Sequence, residues 1–163
     1  LCRAMSLARK DVDGHKGSVT ASVSWFVPKP HTPLQWAPQA NMDTFWHART
    51  FLIEHTRKQP ITVKCHHIER SVLEAVIARG DRRLGRVVEA AWRAGARFDG
   101  WREHFDFDLW RRAFDTAGID MAFYARRERS LDECLPWDMI AGPRSRASLA
   151  AEWRQYQAAV RPG

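Results

Sequence analysis

The sequence predicts an α/β chain in which a strand–helix–strand unit is followed by a mainly α-helical region. Residues 18–27 place β-branched and aromatic side chains at alternating positions, a pattern typical of a strand with one better buried face. Residues 61–66 also read as a strand, and apolar residues between the two runs recur at helical spacing. Beyond residue 67 the helical period persists. A strand–helix–strand order is the signature of a βα unit and allows two parallel strands joined by a right-handed crossover connection.

The first strand runs into a proline-rich segment, which we call the proline loop (residues 28–36). Proline has no N–H to donate to a strand ladder, so the strand is expected to continue to Val27 and to end at Pro28. Each proline fixes its own φ and also restricts the residue before it. The segment is therefore predicted to be rigid and extended, with prolines at Pro28, Pro30 and Pro33.

The proline loop carries polar side chains that are candidates for ligand contact. In parallel α/β folds, the residues just after the carboxyl ends of the strands line the binding site. A plain surface connection between two elements is the alternative interpretation. The candidates are Lys29, His31, Thr32 and Gln35.

The helix between the strands and the helices after them are predicted from apolar spacing and capping residues. Asn41 is suited to cap a helix with Met42, Phe45, Ala48 and Leu52 on one face. Four further helices are predicted by apolar residues around 72–77, 84–92, 109–117 and 149–160. The first three of these are expected to end at Gly80, Gly95 and Gly118.

The turn at residues 79–83 is a candidate anion clamp. Gly80 is expected to end one helix and Asp81 to cap the next, leaving arginines to project from the turn. Guanidinium groups bind phosphate or carboxylate in a bidentate manner. The alternative is that these arginines pair with nearby acidic side chains. The clamp candidates are Arg79, Arg82 and Arg83.

Three other stretches contain residue types that could form a functional site. Cys65 with His66 and His67 offers too few ligands for a structural zinc site, so no metal site is predicted. The acid-rich residues 99–108 are interpreted as a loop with solvated acids, anchored by Phe98, Trp101, Phe105 and Phe107. Residues 135–138 are interpreted as a packing anchor.

Composition limits the class of protein. A chain of 163 residues with 45% hydrophobic residues suits one soluble domain, and no apolar run approaches the roughly 20 residues needed to span a membrane. Three scattered cysteines do not resemble a disulfide framework, which makes the cytoplasm the expected location. The net charge of +7 suggests contact with nucleic acid, but the basic residues are spread along the chain.

Several blocks, in the same order along the chain, resemble a family of radical S-adenosylmethionine proteins that often carry an upstream cobalamin-binding domain. The similar blocks extend over most of residues 18–140. They are residues 26–36 (FVPKPHTPLQW), 73–83 (LEAVIARGDRR), 95–101 (GARFDGW), 118–120 (GID), Tyr124, 127–129 (RER) and 135–138 (LPWD).

The resemblance implies that residues 1–67 are the end of a radical S-adenosylmethionine (β/α) barrel and residues 68–163 a helical carboxyl-terminal extension. Lys29, His31, Thr32 and Gln35 would then lie on the barrel rim and face cofactor or substrate. The family's enzymes use a 4Fe-4S cluster and S-adenosylmethionine, and some also use cobalamin. Their substrates and reactions vary, so neither is specified, although RNA and protein are candidates.

The chain departs from the family at the cluster loop. A Cys-x3-Cys-x2-Cys motif holds the cluster in the family, whereas Cys2, Cys65 and Cys134 are far apart in this sequence. The chain is thus expected to bind no cofactor alone, to be inactive alone, and to be the carboxyl-terminal part of a longer protein whose amino-terminal barrel portion is its partner. The alternative function is a noncatalytic basic helical module that docks RNA or a protein.

Overall fold

The computed structural model describes residues 1–15 and 17–160. Residues 161–163, where the predicted helical extension ends, lie outside the described residues. The described residues form seven helices and one two-stranded parallel sheet, so the mixed α/β class predicted from the sequence is confirmed. None of the described helices combines the length and apolar character needed to cross a membrane.

The elements follow one another in the order helix, strand, helix, strand and then five helices. They are α1 (Cys2–Asp13), β1 (Val19–Val23), α2 (Met42–Thr56), β2 (Ile61–Cys65), α3 (Ile68–Ala78), α4 (Leu84–Arg93), α5 (Phe107–Ala117), α6 (Met121–Ala125) and α7 (Arg146–Val160).

The chain divides into two units. The first consists of Leu1–Phe26 and Ala40–Ser71, and the second of Val27–Gln39 and Val72–Gly163. The proline loop therefore belongs to the second unit, although the residues before Val27 and those after Gln39, up to Ser71, belong to the first.

The first unit is built on the parallel pair of β1 and β2, as the strand–helix–strand order allows. Val19 is opposite Ile61, and the register continues to Val23 opposite Cys65. Alternate residues of both strands are half-buried, which matches the predicted alternation. Helix α1 contacts both strands, and α2 contacts β2.

Strand β1 is shorter than the predicted run to Val27. The last bond beyond the ladder joins the His66 N–H to the Val23 carbonyl oxygen at 2.9 Å, after which the chain turns into α3. The ladder between β1 and β2 therefore ends at Val23. The Trp25 indole instead donates to the His66 carbonyl oxygen at 2.8 Å, and its ring lies 5.1 Å from that of Phe45.

Helix α2 begins where the capping signal predicts. The Asn41 side chain accepts a hydrogen bond from the Thr44 N–H at 2.7 Å, which satisfies one of the free donors at the helix start.

The second unit contains two groups of buried apolar side chains. In the first group, α4 packs against α5, and residues from α3 and α6 complete the cluster. Its members are Leu73, Ala75, Val76, Leu84, Val87, Ala91, Trp110, Ala113, Phe114, Tyr124 and Ala125. The second group brings α7 against the proline loop and the predicted 135–138 anchor, and it consists of Trp36, Ala37, Leu135, Trp137, Leu149, Ala150 and Trp153.

The predicted helix ends are confirmed in part. Gly118 ends α5 with φ of 64°, and Gly95 follows α4 with φ of 103°. Gly80 is different, because its φ is not positive. A larger residue at this position would clash with the Leu84 side chain, since a Cβ would lie 2.9 Å from Leu84 Cγ and nearer still to Leu84 Cδ1. Asp81 does not cap α4 directly; its carboxylate accepts the Arg83 N–H at 2.9 Å, one residue before the helix begins.

Three residues predicted on buried helix faces are exposed. Ile77, Val88 and Trp92 continue the apolar pattern of α3 and α4, yet all three side chains face away from the core. Helix α4 contacts α5 through a narrower stripe formed by Leu84, Val87 and Ala91.

Candidate functional site

The proline loop is turned rather than extended. His31 has φ of 56°, the Gln35 N–H donates to the Thr32 carbonyl oxygen at 3.1 Å, and the Ala37 N–H donates to the Leu34 carbonyl oxygen at 3.0 Å. Prolines restrict themselves and the residue before each of them, which includes Thr32. His31 follows a proline and precedes Thr32, so it is free to adopt the left-handed conformation that reverses the chain.

Hydrogen bonds fasten the loop to the rest of the second unit. The buried Gln35 side-chain oxygen accepts from the Trp137 indole at 2.7 Å and from the His31 N–H at 3.0 Å. The Arg129 N–H donates to the Trp36 carbonyl oxygen at 2.9 Å. The bonds from Trp137 and Arg129 join the loop to residues far along the chain, so the conformation of the loop depends on the fold of the helical part.

The four rim candidates lie together in this one loop, with different exposures. Lys29 is exposed and forms an ion pair with Glu74. Thr32 is half-buried, and its hydroxyl donates to the Lys29 carbonyl oxygen at 2.8 Å. His31 is half-buried beside Gly142, where an added Cβ would lie 2.7 Å from the His31 Nδ1. Gln35 faces inward and holds the loop, whereas the other three reach its surface.

Arg79, a clamp candidate, is wholly buried in the second unit. Its Nη1 donates to the Ala125 carbonyl oxygen at 2.7 Å and its Nη2 to the Arg127 carbonyl oxygen at 2.8 Å. Its guanidinium therefore satisfies the backbone at the end of α6, and two of its donors are used in doing so.

Arg127 and Arg129 share the Glu133 carboxylate, and Arg79 lies beside them. Arg127 binds Glu133 with both terminal nitrogens, at 2.6 and 2.7 Å. The buried Arg129 lies 3.8 Å from the same carboxylate and donates to the Arg79 carbonyl oxygen at 2.6 Å. The Nε atoms of all three are buried without a hydrogen-bond partner.

This arrangement shifts the ionisation of its members. Burial, and then the neighbouring charges of Arg129 and Arg127, lower the pKa of Arg79 to about 10. Burial also lowers the pKa of Arg129, while the hydrogen bonds from Arg127 lower the pKa of Glu133. Near neutral pH all four groups are charged, so the cluster supplies fixed charge rather than a proton donor or acceptor.

Arg83 is paired with an acid, in agreement with the alternative interpretation of the clamp. Its guanidinium lies 2.7 Å from the Asp81 carboxylate, which also accepts from the Tyr124 hydroxyl at 3.2 Å. The hydrogen bonds from Arg83 lower the pKa of Asp81 to about 2, and burial raises the pKa of Tyr124. Arg83 and Arg127 both lie over the Phe123 ring, at 5.5 and 4.8 Å from its centroid.

The three clamp candidates thus have three different surroundings. Arg79 is buried against backbone carbonyls, Arg83 is paired with Asp81, and Arg82 is exposed. Arg82 and Arg83 are both exposed, and Arg83 differs in being held by Asp81.

The cluster of Arg79, Arg127, Arg129 and Glu133, in which Arg79 and Arg129 are buried, is not predicted by the sequence patterns above. One signal is present: Arg79 continues the stripe of Val72 and Val76 along α3, at spacings of four and three residues. An arginine in line with the apolar residues of a helix indicates a guanidinium with internal acceptors.

Comparison with known proteins gives no relative. No protein-family model matches the chain, and neither a curated protein nor a solved structure matches it.

The residues present do not fit an iron–sulfur cluster. Within residues 1–15 and 17–160, no three His, Cys, Asp or Glu side chains form a group that could hold a metal ion. Cys2 and Cys65 belong to the first unit and Cys134 to the second, and all three are free thiols. At Cys65 the strand ends, and the His67 ring instead lies 3.7 Å from the Glu69 carboxylate.

The acid-rich stretch is anchored by only two of its four aromatic residues. Phe105 and Phe107 pack against the first core group of the second unit. Phe98 and Trp101 are exposed, which corrects the prediction that they anchor the loop. The 135–138 anchor is confirmed, because Leu135 and Trp137 are buried in the second core group.

Proposed function

We propose that this chain is the carboxyl-terminal part of a radical S-adenosylmethionine iron–sulfur enzyme of the cytoplasm. In this proposal the first unit belongs to the end of the (β/α) barrel, and the proline loop and the helices supply the substrate-side rim and cap. The amino-terminal part of the barrel is the partner that completes the site. The substrate is unspecified.

The observation that carries the proposal is the parallel pairing of β1 with β2 across a connection that contains α2. Parallel strands joined through helices are the unit from which such barrels are built. The similar sequence blocks begin at Phe26, shortly after β1, and the first of them contains the proline loop. Polar residues in that position are suited to contact a ligand at the mouth of a barrel.

The proposal assigns this chain binding and positioning rather than radical generation. Because its cysteines do not fit a cluster, the cluster ligands must come from the partner portion. The exposed Lys29 ammonium group is paired with the exposed Glu74, and it would exchange that partner for a carboxylate or phosphate of substrate or cofactor. Thr32 and His31 offer hydrogen-bonding groups on a loop whose turn is already formed, which lowers the entropic cost of binding.

The first test reads the genomic DNA upstream of residue 1. An in-frame Cys-x3-Cys-x2-Cys motif in the same coding sequence supports the proposal. A coding sequence without it overturns the proposal, because no other residues in the described chain supply a cluster.

The second test uses the complete protein that this coding sequence specifies, reconstituted without oxygen. Lys29→Met and Thr32→Val are expected to lower the rate of S-adenosylmethionine cleavage by about tenfold or more, since misplaced substrate costs rates of that order. Lys58→Met is the matched control, because Lys58 is also exposed but lies between α2 and β2. Equal rates in all three variants, with equal cluster absorbance, would contradict the role of the rim.

A further inference from the structure

Around Glu133, guanidinium groups outnumber carboxylates. Arg127 and Arg129 share the Glu133 carboxylate, and Arg79 beside them donates to two backbone carbonyl oxygens. Burial lowers the pKa of Arg79 to about 10, so this guanidinium is still charged near neutral pH. Three positive groups and one negative group leave the cluster with a net charge of +2.

The ionisable groups around the cluster do not cancel this excess. Arg83 pairs with Asp81, and Arg146 pairs with Asp138, so each of these pairs is neutral. The groups next to the cluster in the sequence also balance one another, and they are Arg82, Arg126, Glu128 and Asp132. Buried charges in proteins are normally paired, because their desolvation is costly. An excess around two buried guanidinium groups therefore favours an anion from outside the chain.

An anion can reach this charge beside the Phe123 ring. The guanidinium groups of Arg83 and Arg127 lie over this one ring, at 5.5 and 4.8 Å from its centroid. The two arginine side chains are 60% and 36% exposed, and Phe123 itself is exposed. The shared ring places both guanidinium groups on the same part of the surface.

Both exposed arginines keep donors for a further oxyanion. Arg83 binds Asp81 through Nε and Nη2, so its Nη1 is not used in that pair. Arg127 donates from Nη1 and Nη2 to Glu133. A guanidinium group has five N–H donors, so one hydrogen on each of these two nitrogens is left over. Phosphate oxygens accept such hydrogen bonds strongly, because both partners are charged.

We propose that Arg83 and Arg127 bind a phosphate group beside the Phe123 ring, and that the buried Arg79 and Arg129 supply the remaining positive charge. A phosphate dianion matches the excess of two charges, whereas a carboxylate would neutralise only half of it. The clamp predicted for the 79–83 turn thus keeps Arg83, but its second arginine follows α6. Inorganic phosphate and a phosphate monoester both offer this group. The proposal is independent of the proposed enzyme function.

The test is a titration of the chain into inorganic phosphate, followed by phosphorus NMR. The ionic strength is held constant with sodium chloride, at about pH 8, where phosphate is mainly a dianion. Saturable binding is expected. Arg83→Gln and Arg127→Gln should each weaken it by about tenfold or more, since each removes a charged hydrogen-bond donor.

Asp81→Asn should have the opposite effect. This variant removes the carboxylate that holds Arg83, so phosphate binding is expected to become about fivefold tighter, the factor for one unit charge about 4 Å away in water. A purely structural role of Arg83 would not produce this gain.

A matched control is present on α5. Arg111 is 61% exposed and pairs with Asp108 at 2.9 Å, so Arg111→Gln removes a similar exposed pair elsewhere. Its phosphate affinity is expected to equal that of the unaltered chain. Far-UV circular dichroism checks the fold of each variant, and the exposed Arg83→Gln and Asp81→Asn carry the test if Arg127→Gln unfolds.

Phenyl phosphate distinguishes the two sources of the phosphate group. Tighter binding of phenyl phosphate than of inorganic phosphate supports a monoester whose organic body contacts Phe123, and equal or weaker binding supports free phosphate.

Four results would overturn the proposal. They are no saturable binding of either phosphate compound by the unaltered chain, equal losses in Arg83→Gln and Arg111→Gln, weaker phosphate binding by Asp81→Asn, and acetate bound as tightly as phosphate.

Discussion

Replacing Gly80 by alanine tests how closely the turn between α3 and α4 is packed. A Cβ at residue 80 would lie 2.9 Å from Leu84 Cγ, nearer still to Leu84 Cδ1, and 3.1 Å from the Val76 carbonyl oxygen. Carbon atoms in favourable contact are about 3.5–4.0 Å apart, so the Leu84 side chain would have to move by more than about 0.6 Å. Leu84 is buried in the first core group of the second unit, which limits where it can go.

The expected magnitude follows from two opposing effects. Forcing an additional methyl group into a packed core typically costs about 1–3 kcal/mol. Replacing glycine by alanine lowers the conformational entropy of the unfolded chain. Where the backbone conformation suits alanine, this raises the free energy of unfolding by about 0.4–1 kcal/mol. Gly80 lacks a positive φ, so this second effect applies. The Gly80→Ala variant is therefore expected to lose about 1–2 kcal/mol of unfolding free energy.

The assay is thermal and urea denaturation followed by circular dichroism. At about 2–4 °C per kcal/mol for a chain of this size, the melting temperature should fall by about 2–8 °C. Gly85→Ala is the matched control, because Gly85 lies inside α4 and a Cβ added there would have no atom within 4 Å. That variant should gain about 0.5–1 kcal/mol. In Gly80→Ala with Leu84→Ala, the clash should be relieved, giving a coupling of at least about 0.5 kcal/mol.

The reasoning is refuted if Gly80→Ala is as stable as the unaltered chain while Gly85→Ala is stabilised. Leu84 would then have a second favourable rotamer, and Gly80 would not be required for space.

Two further predictions concern the charged groups. Arg79→Met should destabilise the chain by about 1–3 kcal/mol. The buried Ala125 carbonyl and the part-buried Arg127 carbonyl each lose a donor, at about 1–3 kcal/mol for a buried group, and removal of the desolvated charge of Arg79 recovers part of this loss. The exposed Arg82→Met should change stability by less than about 0.5 kcal/mol in the same urea titrations, and equal effects would contradict the internal role of Arg79. Asp81→Asn tests a pH dependence. The folded pKa of Asp81 is about 2, below the ordinary 3.8, so its carboxylate stabilises the fold above pH 3.8 and loses that effect as pH falls towards 2. The Asp81→Asn variant should be less stable than the unaltered chain by about 1 kcal/mol at pH 7, because solvent around the exposed Arg83 weakens its interaction with Asp81. In urea titrations, this difference in stability should shrink between about pH 4 and 2. A stability difference that stays constant down to about pH 2 would show that the lowered pKa of Asp81 does not stabilise the fold.

Short-range patterns in the sequence predict much of the local structure. The alternation in β1 and β2, the Asn41 cap and the left-handed Gly118 all depend on neighbouring residues, and all are confirmed. The length of β1 could not be predicted in the same way, because a strand lasts only as long as its partner does. The prolines around His31 indicate an extended loop, but they leave the φ of His31 unrestricted, and the turn forms there.

The candidate site is less accessible to such reasoning. Lys29, His31 and Thr32 are recognisable from the sequence as polar residues on one loop, and they lie together there. The burial of Gln35 depends on Trp137, and no local pattern indicates a contact across 102 residues. The exposure of Trp92, Phe98 and Trp101 cannot be predicted from the sequence either. Periodicity identifies apolar positions but does not show how much of an apolar helix face a neighbouring helix covers.

By itself, the sequence determined the α/β class, the alternation of the two strands, and the capping at Asn41 and Gly118, because hydrophobic period and capping act over a few residues. Only the tertiary structure decided that Arg79 is internal while Arg82 remains exposed. Arginines so close in sequence have the same local preference for water. The difference comes from the Ala125 and Arg127 carbonyls, 46 and 48 residues away, which accept from one guanidinium and offset the cost of its burial.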